Sequence, residues 1–261
     1  MTFSIAISGK GGTGKTTVSA LLVHLLKNYG GQPILGIDSD PNSNLNEALG
    51  VDATMSVGKA REMLLKNKDK LGPYQRKEDY FNYLFQSSVE EFDGFDIIIM
   101  GNAEGPGCYC YVNNLLRKMV DDLSDKYPLM ILDTEAGLEH FSRRTTRDID
   151  ILLVVTDPTA KGVLTAKRIQ ELIKTLNTNI RKAYLVVNRL PPRFVDKVKD
   201  LEKTSGLECI AVIPEDPLVQ EFDLNGKPIP DLPASSLALK GVTELIKKLE
   251  IPEVPKGEIS R

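Results

Sequence analysis

A glycine-rich segment close to the start of the chain has the residue types and spacing that bind phosphate groups. It begins at Gly9 and matches the pattern G-x-x-x-x-G-K-[ST]. Closely spaced glycines let backbone N–H groups converge on phosphate oxygens, and the start of a helix adds partial positive charge. The Lys15 ammonium would neutralise the outer phosphates of a nucleotide, and the Thr16 hydroxyl could ligate Mg²⁺. The residues predicted to contact the nucleotide are Gly11, Gly12, Thr13, Gly14, Lys15, Thr16 and Thr17.

Acidic side chains follow two other apolar runs. The run PILGID ends at Asp38 and is followed by Asp40, and the run PLMILD ends at Asp133. Carboxylates at the carboxyl edge of a parallel sheet can hold the water shell of Mg²⁺, or orient and deprotonate an attacking water. We therefore predict a magnesium site formed by Thr16, Asp38 and Asp133. Asp, Pro and Asn also favour turns, so turn formation alone is the alternative explanation for the segment around Asp40.

Cys108 and Cys110 form a second candidate site, because two thiolates separated by one residue can both face one soft metal ion. Two ligands are too few for a closed tetrahedral site, so a two-fold axis would have to supply two more thiolates from a second chain. Such a site accepts Zn²⁺ readily, and Ni²⁺ in a suitable geometry. Free cysteines are also often simply buried, as we expect for Cys209 in the apolar run LECIAVI.

The candidate residues follow short apolar runs that alternate with amphipathic stretches. The runs are FSIAIS, PILGID, FDIIIM, PLMILD, IDILLVVT, AYLVVN and LECIAVI. Their nearly continuous apolar character is typical of strands buried on both faces, and the stretches between them are long enough for crossover helices. We predict an α/β fold with a doubly wound, mostly parallel sheet flanked by helices, in a single domain over residues 1–261. Residues 53–93 are polar and lack a clear strand, which predicts a helical insertion at the periphery.

Composition and charge limit the classes of partner. The chain has 33 Lys and Arg against 36 Asp and Glu, a formal net charge of −3, so no overall basic excess can neutralise a nucleic-acid backbone. No run of about 18 apolar residues could span a bilayer. Residues 239–249 have helical spacing with lysines opposite the apolar face, but prolines and acids follow, which favours a packing helix over a membrane anchor. Because no leader is visible, we expect a cytoplasmic protein with no nucleic acid partner and no stable membrane association.

The phosphate-binding segment also carries an additional lysine, Lys10. The sequence GKGGTGKTT resembles the deviant phosphate loop KGGxGK[ST] of the ATPase family that contains the nitrogenase iron protein, the Min and Par ATPases and metal-trafficking ATPases. The resemblance implies an ATP-promoted homodimer in which Lys10 reaches across the interface to the partner's nucleotide. It also implies that Asp40 is the catalytic aspartate of switch I, supported by Asp38, and that Asp133 is the Mg²⁺ residue at the end of the Walker B strand. Lys10, Lys15 and Asp40 are then the catalytic residues.

The same resemblance suggests how the base is bound. The strand AYLVV runs into Asn188 and Arg189, where the family often has an Asn that contacts adenine. Pro214 and Glu215 lie where a later loop usually packs on the base. No N-K-x-D pattern for guanine is present, so ATP and ADP are expected rather than GTP. An ordinary turn at a strand end would explain Asn188 and Arg189 about as well.

Within this family the resemblance is closest to the accessory ATPases of carbon monoxide dehydrogenase, which insert nickel. It rests on the phosphate loop, the D-x-D-P segment, GPGCYC and DTEAGLEH, and extends from Gly9 to about Pro214. It implies nickel insertion into carbon monoxide dehydrogenase or the related acetyl-CoA synthase, with Zn²⁺ or Ni²⁺ at the cysteines of the dimer interface. The nitrogenase iron protein instead uses two well-separated cysteines for its iron–sulfur cluster, and the second would fall near His140. An iron–sulfur reductase is therefore one alternative, and a positioning or partition ATPase of the Min or Par type is the other.

Overall fold

The chain was analysed as a computed structural model, which describes residues 2–40, 44–67, 77–101, 121–123, 125–134, 148–174 and 179–253. Each of the seven apolar runs forms a strand, as predicted, and these residues contain one further strand. The strands are β1 Phe3–Gly9, β2 Ile34–Asp38, β3 Val89–Phe92, β4 Phe95–Ile99, β5 Leu129–Asp133, β6 Ile149–Thr156, β7 Ile180–Leu190 and β8 Glu208–Pro214.

These strands form one sheet in the order β3-β4-β2-β5-β1-β6-β7-β8. From β4 to β8 every neighbouring pair is parallel, whereas β3 pairs antiparallel with β4 at one edge. The predicted doubly wound, mostly parallel sheet is confirmed. The expectation that residues 53–93 contain no strand is wrong, because β3, with the sequence VEEF, lies at the end of this range. This edge strand is half-exposed and acidic, so it lacks the continuous apolar run that marks a buried strand.

Helices cover both faces of the sheet. The described α-helices are α1 Lys15–Leu26, α2 Leu45–Leu49, α3 Val57–Asn67, α4 Lys77–Gln86, α5 Ala160–Ile173, α6 Val198–Ser205, α7 Pro217–Leu224 and α8 Leu237–Lys248. On one face α1 and α8 contribute fully buried side chains such as Leu22 and Val242. On the other face α5 and α4 contribute Ala166 and Phe85. The sheet is therefore enclosed between two apolar layers, whose burial is the main favourable contribution to folding.

The pairing register brings the candidate residues to one edge of the sheet. Asp38, the last residue of β2, pairs with Asp133, the last residue of β5. On the other side of β5, Asp133 pairs with Ile7 of β1, and Gly9 of β1 pairs with Val155 of β6. The phosphate-binding segment and the two acidic strand ends thus start from the carboxyl edge, where ligands bind in sheets of this kind.

Candidate nucleotide-binding site

The phosphate-binding segment, here called the phosphate loop (residues 9–17), connects β1 to α1. A Cβ atom at Gly9 would lie 2.1 Å from the carbonyl oxygen of Val155, so glycine is what lets β1 run this close to β6. Gly14 precedes α1 with φ +85°, a left-handed conformation that glycine adopts without strain. Helix α1 then begins at Lys15, and the N–H groups of its first turn lack partners within the helix. Those N–H groups are available to an anion held by the loop.

The loop separates its two lysines. The Lys10 carbonyl oxygen accepts hydrogen bonds from the N–H of Thr13 at 3.3 Å and from its hydroxyl at 2.8 Å. The loop is therefore closed by its own backbone around Gly11 and Gly12, which are exposed. Lys15 is only 8% exposed, whereas Lys10 is partly accessible. One lysine is thus enclosed at the start of α1 and the other can be reached from outside the chain.

Thr16 and Asp133 meet where α1 approaches the end of β5. Burial raises the pKa of the Asp133 carboxyl to about 6, although the Thr16 hydroxyl, which hydrogen-bonds to it, and the nearby Lys15 lower it. Asp133 is 1% exposed, and its Oδ1 atom has no hydrogen-bond partner among the described residues. Buried polar atoms normally have a partner, and Mg²⁺ prefers carboxylate and hydroxyl oxygens. The residues present therefore fit a magnesium ion.

Asp38 is fully buried, and backbone N–H groups occupy both of its carboxyl oxygens. Oδ1 accepts a hydrogen bond from the N–H of Asp40 at 2.9 Å, and Oδ2 accepts one from the N–H of Leu45 at 3.0 Å, at the start of α2. Burial raises the pKa of Asp38 to about 7; the charges of Asp133 and Asp40 add to the rise and the two hydrogen bonds oppose it. Asp38, Asp40 and Asp133 are thus brought together, and Asp38 holds the turn that carries Asp40.

Asn188 and Arg189 contact the phosphate loop itself. The Nδ2 atom of Asn188 donates a hydrogen bond to the carbonyl oxygen of Thr13 at 2.8 Å, and the Arg189 guanidinium donates to the carbonyl oxygen of Gly12 at 3.1 Å. The Oδ1 atom of Asn188 accepts from the N–H of Arg189 at 3.0 Å. The sequence suggested these two residues as contacts to the base, but in the structure their polar groups face loop carbonyls.

Pro214 and Glu215 lie beside that turn. Pro214 ends β8 and pairs with Leu190, the last residue of β7, and the N–H of Glu215 donates to the Leu190 carbonyl oxygen at 3.2 Å. The Glu215 side chain is exposed. Both residues are therefore close to Asn188 in the sheet, at the edge where the sequence analysis expects the base.

Two further residues support this edge without having been singled out in the sequence. Ser19 is fully buried one turn after Thr16 on α1, close to Asp133, and its hydroxyl oxygen has no hydrogen-bond partner among the described residues. The Thr134 hydroxyl donates to the carbonyl oxygen of Ile7 at 2.7 Å and joins the end of β5 to β1. The i, i+3 spacing from Thr16 is a signal that could have found Ser19. Thr134 could be found only from the strand order.

The candidate metal ligands Cys108 and Cys110, together with His140, lie outside the described residues. Within the described ranges, no group of three or more His, Cys, Asp or Glu side chains could hold a metal ion. Cys209 is partly buried against the apolar core, and burial raises the pKa of its thiol. Its environment is that of a packing residue, in agreement with the sequence analysis.

The segment considered as a membrane anchor, residues 239–249, lies almost entirely within α8. Helix α8 packs on β8, and its side chains Val242 and Leu245 are fully buried. In the part of the chain that the structure describes, no helix has both the length and the apolar character needed to cross a bilayer. The apolar face of this segment is thus part of the core, as expected for a packing helix.

A phosphate loop at the carboxyl edge of a doubly wound sheet defines the class of P-loop nucleotide-binding proteins. Comparison with known proteins narrows the class, because residues 4–229 match the family described as the CobQ/CobB/MinD/ParA nucleotide binding domain. The chain belongs to this family and is a P-loop ATPase of the class that includes MinD, ParA and CooC.

Individual relatives agree with this assignment over almost the whole chain. An uncharacterized ATP-binding protein of Methanocaldococcus jannaschii is 40% identical over 247 residues, which cover 94% of this chain and 97% of that protein. The carbon monoxide dehydrogenase accessory protein CooC of Rhodospirillum rubrum is 30% identical over 239 residues, 87% of this chain and 89% of its own length. The structure of the septum site-determining protein MinD of Pyrococcus horikoshii, complexed with Mg-ADP, superimposes with a TM-score of 0.68 at 23% identity, covering 99% of this chain and 100% of that one. The predicted fold and ATPase class are confirmed.

Proposed function

We propose that this protein is a cytoplasmic, Mg²⁺-dependent ATPase that dimerises around ATP and couples hydrolysis to nickel insertion into carbon monoxide dehydrogenase or a related nickel enzyme. The observation that carries the choice of client is the 30% identity to CooC over 87% of this chain. The pair Cys108 and Cys110 supports the same choice, because it offers two thiolates to a soft metal ion. In this proposal nickel is the metal that the protein delivers, not a cofactor that it keeps. Residues 1–261 form a single domain.

The phosphate loop and the start of α1 bind the nucleotide. Lys15 neutralises charge on the outer phosphates, and the backbone N–H groups of the loop donate to phosphate oxygens. Thr16 and Asp133 hold Mg²⁺, since the Oδ1 atom of Asp133 is buried without a donor among the described residues and the Thr16 hydroxyl lies beside the same carboxyl. When bound, Mg²⁺ neutralises the charge that develops on the β- and γ-phosphates.

Asp40 orients and deprotonates the attacking water. The hydrogen bond from the Asp40 N–H to Asp38 fixes the turn, and it keeps the Asp40 carboxylate near enough to Asp133 to raise the pKa of that residue. Phosphoryl transfer depends mainly on such positioning, because little covalent chemistry is left for the protein to do.

Lys10 completes the site of the partner subunit in an ATP-bound homodimer. Its side chain is partly accessible while its backbone is held by Thr13, so it is fixed at the base and free to reach outwards. Sedimentation velocity of the slow variant Asp40→Asn with ATP should show a dimer, and adding Lys10→Ala should return it to a monomer. The exposed Lys203 on α6 provides the control, since Lys203→Ala removes the same charge elsewhere. A dimer that persists without Lys10 would contradict this role.

The metal cargo is held between the two subunits by Cys108 and Cys110 of both chains. Metal analysis of the purified dimer should give one divalent ion per dimer. Its affinity should differ between ADP and a non-hydrolysable ATP analogue, because closing the dimer moves the two cysteine pairs relative to each other. Reciprocity then requires the metal to change ATP affinity by the same factor.

Cysteine variants provide the decisive comparison for this cargo site. The double variant Cys108→Ser/Cys110→Ser should lose the metal and still bind ATP, and Cys209→Ser in the core should keep both. One metal per dimer in the double variant, or equal metal affinity in both nucleotide states, would count against the proposal. Activation of nickel-free carbon monoxide dehydrogenase by the loaded protein and ATP, compared with acetyl-CoA synthase, identifies the client.

A positioning or partition ATPase is the second candidate, because the matching family includes MinD and ParA. ATP-dependent co-sedimentation with liposomes or DNA, in a protein without stoichiometric metal, would favour it. The packing of α8 on β8 and the net charge of −3 argue for the first candidate. An iron–sulfur reductase would be brown with visible absorption after anaerobic purification, whereas a colourless protein with stoichiometric Zn or Ni excludes it.

A further inference from the structure

The turn at the end of β7 is hydrogen-bonded to the phosphate loop. The pairing of β7 with β8 shifts register between Val187 and Leu190, so that three steps along β7 match two along β8. Bulges of this kind re-aim side chains and occur next to active sites. Here the bulge carries Asn188 and Arg189, whose side chains donate hydrogen bonds to two consecutive carbonyl oxygens of the phosphate loop.

Arg189 has a backbone conformation that only a few per cent of non-glycine residues adopt, with φ +54°. Such a conformation persists only where surrounding contacts enforce it, and it is concentrated at functional sites. Two hydrogen bonds enforce it here: the one from the guanidinium to the Gly12 carbonyl oxygen, and the one from the Arg189 N–H to the Asn188 side chain. The strained residue is thus bonded to the loop directly through its guanidinium, and indirectly through Asn188, whose amide donates to the Thr13 carbonyl oxygen.

The two bonds also fix the direction of loop N–H groups. In a trans peptide the carbonyl and the N–H point in opposite directions. Holding the Gly12 oxygen therefore sets the N–H of Thr13, which turns towards Lys10, and holding the Thr13 oxygen sets the N–H of Gly14, which points away from Asn188. The approach is close, since a Cβ atom at Gly14 would lie 2.4 Å from the Asn188 amide nitrogen.

We propose that Asn188 and Arg189 are positioning residues that set the phosphate loop in its anion-binding conformation before the nucleotide arrives. The proposal rests on the phosphate loop being the nucleotide site, and it assigns both residues to phosphate affinity rather than to selection of the base. Preorganisation of this kind improves affinity because less ordering remains to be done on binding. It therefore acts equally on every ligand that presents phosphates, with or without a base.

Calorimetric titration with ADP and with inorganic tripolyphosphate tests the proposal. Arg189→Asn tolerates the left-handed backbone but removes the guanidinium, and loss of one charged hydrogen bond predicts about tenfold weaker binding of both ligands. Asn188→Ala removes the bond to Thr13 and should weaken both ligands in the same proportion. The control is Arg193→Gln, which removes the same charge from an exposed residue whose guanidinium lies 5.0 Å from the Phe194 ring centroid. It should bind both ligands as the wild type does.

The outcomes distinguish failure of this proposal from failure of the phosphate-loop assignment on which it rests. Equal weakening of both ligands in Arg189→Asn, with Arg193→Gln unchanged, supports positioning. Weakening of ADP alone makes Arg189 a base contact and overturns the proposal, and so does wild-type affinity for both ligands. Wild-type protein that binds neither ligand would instead overturn the phosphate-loop site itself. Urea denaturation midpoints show whether each variant is folded. If Arg189→Asn is not folded, Asn188→Ala provides the same comparison between the two ligands.

Discussion

Replacing Gly9 by alanine tests whether the close approach of β1 to β6 supports the phosphate loop. A Cβ atom at Gly9 would lie 2.1 Å from the carbonyl oxygen of Val155, about 1.3 Å short of the 3.4 Å at which ordinary van der Waals contact begins. The obstacle is backbone, so no side-chain rotation relieves it. The strand ends must separate, which disrupts the last register pairs, Ser8 with Val154 and Gly9 with Val155.

The magnitude follows from those losses. One or two ladder hydrogen bonds contribute about 1 kcal/mol each, and alanine at the φ of +152° adds strain of about 1–2 kcal/mol. We expect Gly9→Ala to lower the free energy of unfolding by about 2–4 kcal/mol in urea denaturation without nucleotide. Gly11→Ala is the matched control, because its Cβ meets nothing within 4 Å, and it should stay within about 1 kcal/mol of the wild type. Small, equal changes in the two variants would refute the reasoning.

Three further perturbations address charge. Lys15→Ala should abolish ADP binding in calorimetry, because the buried ammonium is the neutralising charge at the phosphates; retained binding would contradict this. Asp40→Asn should keep ATP affinity and lose turnover in a phosphate-release assay, and wild-type turnover would remove Asp40 from catalysis. Burial raises the pKa of Asp216, but hydrogen bonds from the Ala238 N–H and the Ser236 hydroxyl outweigh it and hold the pKa below its usual value. Asp216→Asn should therefore cost about 1–3 kcal/mol in urea denaturation at pH 7. That deficit should shrink as the pH falls below about 4, because the unfolded carboxylate, with its ordinary pKa, is protonated there before the native one, whose pKa is lower; a deficit equal at pH 7 and pH 3 would contradict the assignment.

Local patterns account for the parts of the fold and site that sequence predicts. Each buried strand is a continuous apolar run, and the phosphate loop is encoded in nine consecutive residues from Gly9 to Thr17, so neither depends on distant parts of the chain. The edge strand β3 is not such an apolar run, because VEEF has two acids in four residues. Its strand character comes from the hairpin with β4. Periodicity identifies elements that bury apolar surface and misses those held mainly by a neighbour.

Contacts between distant segments could not be predicted, because they depend on strand order. Asp38 and Asp133 become neighbours only because β5 is inserted between β2 and β1. The sequence alone suggests that Asn188 is either a turn residue or a base contact. Its hydrogen bond to Thr13 forms only because the bulge at the end of β7 lies beside the phosphate loop. Residue types therefore identify the candidates, and the topology decides what each one touches.

The two buried aspartates at the strand ends have the same side chain but differ in whether a carboxyl oxygen is left without a hydrogen-bond donor. Both oxygens of Asp38 accept backbone N–H groups, from Asp40 and Leu45, whereas the Oδ1 atom of Asp133 has no partner among the described residues. Moving Asp38 towards a cation would leave two N–H groups without acceptors, at about 1–3 kcal/mol for each one that stays buried. Asp133 pays no such cost, and the Thr16 hydroxyl already lies against it. We infer that Asp133 and Thr16 hold the magnesium ion, and that Asp38 contributes by keeping Asp40 in place to orient and deprotonate the attacking water.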